Sequence, residues 1–159
     1  MNAMNSYERL TINAALTLVG LSFVLAAVFI PSLPDQVAVH FDGSGRPDRV
    51  GSRYELIALP ILQSIVVGIF WAIRFTHPDF YNFPPARNAE HRARMVQNTR
   101  SMMATLSLVV SAFMTWLGYS LLRVGQGGLM GSAWLPVSLL LIGVLATGAL
   151  FSYRTHQMR

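Results

Sequence analysis

The sequence predicts an all-α membrane protein: a four-transmembrane-helix bundle with a small extracytoplasmic cap between helices 1 and 2. Three observations carry this. Residues 10–30, 56–75, 102–122 and 133–153 form four runs in which Arg74 is the sole charged side chain, inside a chain of 159 residues. A hydrocarbon core of roughly 30 Å needs about 20 helical residues at 1.5 Å each, so each run is long enough to cross. Composition agrees, with 53% hydrophobic and 12% charged residues, against roughly 25% charged in soluble domains. Finally, the twelve basic residues are all arginine and unevenly placed.

With four spans, the two ends and the middle loop (76–101) share one side of the membrane. That side holds eight arginines and three acids, while the other holds four of each. The positive-inside rule then predicts both termini in the cytoplasm and loop 31–55 outside, in a cell inner membrane. The net charge of +5 is thus a topology signal and not a nucleic-acid footprint. The spans leave no room for a separate soluble domain, so residues 1–159 read as one membrane domain. There is no cysteine, which excludes disulfides and thiolate metal sites.

Asn5, Ser6 or Thr11 can cap the first helix, with Tyr7 at headgroup level, and Pro31 and Pro34 stop it. Small residues at Ala26 and Ala27 raise a signal-peptide alternative. The apolar run exceeds the usual 7–15 residues and Glu8 cancels Arg9, so the helix is expected to stay. Residues 36–41 alternate as a short strand. Asp42-Gly43, Gly45 and Pro47-Asp48 then supply three turn signals, compatible with a small hairpin. The second helix starts near Tyr54 and contains Pro60, expected to bend it. Trp71 and Arg74 suit its cytoplasmic end, as belt aromatic and snorkelling cation.

The middle loop opens with His77-Pro78 and residues 82–85, too proline-rich for helix. Asn88 reads as an N-cap with Glu90 in the first turn, opening a helix that runs into the third span. Arg87, His91 and Arg94 share one face, flanked by Arg92 and Arg100. This basic segment fits anionic headgroups or an acidic cytoplasmic regulator. Gly127 and Gly131 have GxxxG spacing but lie in the turn before Trp134 and Pro136. Ser107/Ser111 and Gly143/Thr147 are better placed for close helix contact.

No catalytic frame stands up: there is no HExxH, Walker lysine or activated nucleophile near His40. The chain is expected not to be an enzyme and to need no cofactor. A metal at His40, Asp42 and Asp48, with Asp35 or Glu55, is the weaker alternative. The calcium-loop frame fails because Arg46 and Arg53 stand where acids are required. Within the spans, Gln63 reads as an interhelical hydrogen-bond partner, and Met102 and Met103 as core filling. The scarcity of intramembrane ionisable groups weighs against a carrier or channel.

The outer loop, Leu33-Pro34-Asp35 through Val39-His40-Phe41-Asp42 to Gly45-Arg46-Pro47-Asp48-Arg49-Val50-Gly51-Ser52, resembles a bacterial membrane domain of unknown function numbered 1648. That domain also forms the front of SdpI-type immunity proteins. Tyr81-Asn82-Phe83-Pro84 and Asn88-Ala89-Glu90-His91-Arg92 resemble the stretch after the second span in four-helix members. Val50 stands where many members carry tryptophan, and Arg53 where lysine is common. SdpI-type proteins are longer, with a further helical part. The resemblance therefore implies architecture ahead of activity. It points to an outer site at Leu33, Pro34, His40, Phe41, Gly45, Pro47, Asp48, Gly51 and Ser52, and an inner-loop motif at Asn82, Pro84, Asn88, Glu90 and Arg92. The expected role is binding: an extracytoplasmic peptide or toxin on the cap, with the lipid bilayer around the spans. A subunit role in a larger membrane complex is the competing expectation.

Overall fold

The computed structural model describes residues 4–81, 83, 85–128 and 134–157. Four long helices carry the architecture: α1 (Ser6–Phe29), α2 (Ala58–Ala72), α3 (Ala89–Gly125) and α4 (Trp134–Gln157). With their flanking 3-10 turns, all four are long and apolar enough to cross a membrane. The chain is a multi-pass membrane protein by length and composition. Between α1 and α2 lies a two-stranded antiparallel hairpin, β1 (Gln36–Phe41) and β2 (Pro47–Ser52).

Asn5 is the cap of α1, its Oδ1 accepting from the Glu8 N–H at 2.7 Å. Asn88 caps α3 as expected, accepting from the His91 N–H at 2.8 Å. α3 runs 37 residues, so the third span and much of the preceding loop are one continuous helix. It ends at glycine: Gly127 takes φ +87°. The Gly127 and Gly128 N–H groups donate back to Val124 and Arg123, each at 2.9 Å, a Schellman closure. Gly131 lies outside the described residues.

Pro60 sits near the start of its helix. A 3-10 turn (Arg53–Ile57) leads into α2, and Pro60 falls in the first turn of the α-helix. There its missing N–H would lack an intrahelical partner anyway. Of the proline-rich start of the middle loop, read as non-helical at His77-Pro78, Pro78 opens a single 3-10 turn over Pro78–Phe80.

α3 is the hub, packing against α1, α2 and α4. Its contact faces are made of small polar residues: Ser107 and Ser111 are fully buried. On the α4 side, Gly143 lets the backbone approach Val109, where an added Cβ would sit 3.0 Å from Cγ1. Thr147 is buried on the same face. Such stripes suit helix association in lipid, where close packing replaces the hydrophobic drive. Mid-bundle, Gln63 Nε2 donates to the Thr115 hydroxyl (3.1 Å) and the Ser111 carbonyl (3.3 Å). The Ser22 and Thr115 hydroxyls bond at 3.0 Å, so one polar knot joins α1, α2 and α3. α4 packs along α3 and presents Leu135, Leu139, Ile142 and Leu145 outward.

Candidate functional site

The hairpin and the bundle end beneath it form one unit. Leu33 and Val37 are buried with Ala26 of α1, Ile30 just past its end, Leu56 before α2, and Leu121 and Leu122 of α3. Val39 and Phe41 pack on the rim of this cluster, as the alternation of β1 requires. Gly125 admits the cap, since a Cβ there would stand 3.1 Å from both Leu33 methyl carbons.

The reversal is built around Asp42. Its Oδ1 accepts from the Ser44 N–H (2.8 Å), the Ser44 hydroxyl (2.7 Å) and the Arg46 N–H (2.9 Å). Gly45 completes the turn at φ +81°, a left-handed conformation that glycine adopts without a Cβ clash. The Ser44 hydroxyl, then the Arg46 N–H, hold the Asp42 carboxyl below its ordinary value of 3.8, because both stabilise the ionised form. Asp42 is thus committed to the turn.

Strand register explains where the functional groups point. His40 stands opposite Arg49 and Phe41 opposite Pro47, leaving Val39 on β1 and Asp48 on β2 outside one-to-one pairing. Such bulges re-aim side chains. Here the irregular register goes with an exposed His40 whose Nδ1 lies 2.5 Å from Asp48 Oδ1. Behind the hairpin, Ser52 and Glu55 form a capping box, and Glu55 also binds Arg49 at 3.0 Å. A Cβ on Gly51 would fall 2.2 Å from Glu55 Oε1, so this position must be glycine for the box to close. Arg53 straps the chain leaving α1, donating to the Leu33 carbonyl (2.5 Å) and pairing with Asp35 (3.3 Å).

The outer set therefore divides. Leu33, Phe41, Gly45, Gly51 and Ser52 shape the cap; Pro34 and Pro47 are exposed punctuation; His40 and Asp48 are the exposed chemistry. His40, Asp42 and Asp48 do not converge as a metal cluster, and none of three or more such ligands forms among the described residues.

The described members of the inner-loop set make separate contacts. Asn88 is a cap, Glu90 pairs with Arg94 along the helix at 2.7 Å, and Arg92 reaches across to Asp79. Asn82 and Pro84 lie outside the described residues. The expected basic face is corrected too. His91 is buried and its Nδ1 accepts from the Arg87 N–H at 3.1 Å, because it belongs to the helix cap and not to the headgroup surface.

A buried ionic knot was missed from sequence. Glu8, 1% exposed, binds Arg74 at 2.8 Å, the Ser101 hydroxyl at 3.2 Å and the Gln97 amide. Arg74 therefore turns inward instead of snorkelling. Glu8 stands beside Arg9 in sequence, which made the pair look self-cancelling; its true partners lie on α2's end and α3.

Residues 17–63 match the family model described as a domain of unknown function, DUF1648, taking in much of α1, the whole hairpin and α2 as far as Gln63. A protein of Archaeoglobus fulgidus described as uncharacterized is 33% identical over 109 residues, 60% of this chain and 60% of that protein. The chain thus spans about 60% of the length of the curated relative it matches. No solved structure matches it.

Proposed function

We propose that the protein is a binding protein of the cell membrane and not an enzyme, with both termini cytoplasmic and the hairpin outside. The hairpin would engage an extracytoplasmic peptide or toxin in an immunity-like role. The observation that supports this reading is a cap packed on the bundle end that leaves polar and apolar side chains exposed. His40 and Asp48 are exposed on it, and Val50 of β2 and Tyr54 just after it are each 61% exposed. Among the described residues no further strand pairs with the far edge of β2, a geometry that can accept an extended peptide by main-chain pairing.

Cells lacking the gene should be sensitised to a membrane-active peptide, with rescue by the parent protein and not by His40→Ala at equal protein level. Equal survival of deletion and parent strains across a panel of such peptides would contradict the proposal.

A second reading, an accessory subunit of a larger membrane complex, draws on α4. This helix packs on α3 and leaves a broad apolar face outward. It expects stoichiometric partners on purification in mild detergent; a monodisperse lone protein argues against it.

A further inference from the structure

At the bundle end opposite the hairpin, a cleft of about 520 Å³ opens between the chain leaving α2 and the first turns of α3. Arg74, Phe75, His77, Arg92, Ala93 and Arg100 line it. Its charges do not balance. Arg74 is answered by Glu8 at 2.8 Å. Arg92 and His77 both turn to Asp79, the histidine at 3.3 Å. Arg100 has no carboxylate partner among the described residues, and its Nε is sealed from solvent with no acceptor. Arg100 is itself half-buried, so the cleft holds one guanidinium more than its carboxylates answer, a setting that favours an anion. Trp71 and Phe75, in edge contact at 4.8 Å and half exposed, stand next to the cleft. Such aromatics mark the headgroup level of a bilayer.

We propose that this cleft binds a phosphate group, with Arg100 as its principal donor and the apolar wall of Phe75 and Ala93 beside it. The two Nη groups of an arginine can donate side by side to phosphate oxygens. The source in a membrane is an anionic phospholipid headgroup, and free inorganic phosphate shares the chemistry. The inference requires a bilayer around the helices but is independent of what the hairpin binds.

The test uses the full-length protein, delipidated in neutral detergent, with phosphatidylglycerol and phosphatidylcholine as probes and bound lipid counted by native mass spectrometry. Phosphatidylglycerol should be retained in preference to phosphatidylcholine. Arg100→Gln should lower its retention about fivefold, the effect of one arginine contact of about 1 kcal/mol. Arg123→Gln, at the other end of α3, should leave retention unchanged. Ala93→Leu, a substitution at an exposed helical position that fills the cleft without altering charge, should also lower retention, and covers the case in which Arg100→Gln does not fold. Loss of the lipid adduct on adding inorganic phosphate assigns the site to free phosphate; persistence assigns it to lipid. Phosphatidylglycerol retention at the parent level in Ala93→Leu, or in a folded Arg100→Gln, overturns the proposal.

Discussion

The two ends of this bundle are fastened by opposite physics. At the hairpin end, apolar residues from five segments close over one another, and the ionic contacts (His40–Asp48, Arg49–Glu55) are mostly on the solvent side. At the other end the fastening is itself ionic: Glu8 is buried and answered by Arg74, Gln97 and Ser101. An apolar clasp tolerates loss of one member by partial collapse. A buried charge does not, because removing its partner leaves the full desolvation cost.

The sharpest way to break the comparison is therefore Glu8→Ala, which removes the buried carboxylate that Arg74, Gln97 and Ser101 converge on. It should cost about 3–5 kcal/mol, read as a lowered unfolding midpoint in detergent. Adding Arg74→Ala should restore part of the loss; a double variant no better than the single would contradict the pairing. At the hairpin end, Leu33→Ala should cost about 2–4 kcal/mol through the cavity it leaves under the cap. Limited proteolysis at residues 42–46 should then accelerate while the helices persist.

Between the ends, Gln63→Leu should cost about 0.6 kcal/mol, the mean of an interhelical hydrogen bond in lipid. A loss of several kcal/mol there would move the keystone from the ends to the middle. His40→Ala should change stability by less than about 1 kcal/mol, because both members of its pair are exposed and water screens them. A large effect would recast His40 as part of the clasp.

The smallest effect concerns Asp42. Its folded carboxyl is held below the ordinary value of 3.8, so its contribution is fully present above that value and is lost as pH falls through the lower folded value. Amide exchange at Ser44 and Arg46 should quicken in that acid range, and Asp42→Asn should remove the dependence.

The same contrast explains what could be read from sequence. The four helices announced themselves because each is a local run of apolar residues. The hairpin was legible because Asp42, Gly45 and Pro47 lie within six residues and their turn chemistry is local. The cap on α3 at Asn88 was legible for the same reason. Glu8 and Arg74 are 66 positions apart, and no local pattern links them. Residue type alone placed Arg74 as a snorkelling cation; only the approach of Glu8 on α1 to the end of α2 reverses its direction. His91 was misassigned because spacing puts it on a face with Arg87 and Arg94, whereas burial follows the loop folded against it. The bulges at Val39 and Asp48 were invisible too, since register depends on both strands at once.

The proposed topology puts the hairpin and the ionic knot on opposite sides of a membrane, with the hairpin outside. Because the chain contains no cysteine, single substitutions at exposed sites can report this without a background. Ser44→Cys should react with a membrane-impermeant maleimide in intact cells, while Ala86→Cys should react only after permeabilisation. Labelling of both in intact cells, or of Ala86→Cys alone, would contradict the account.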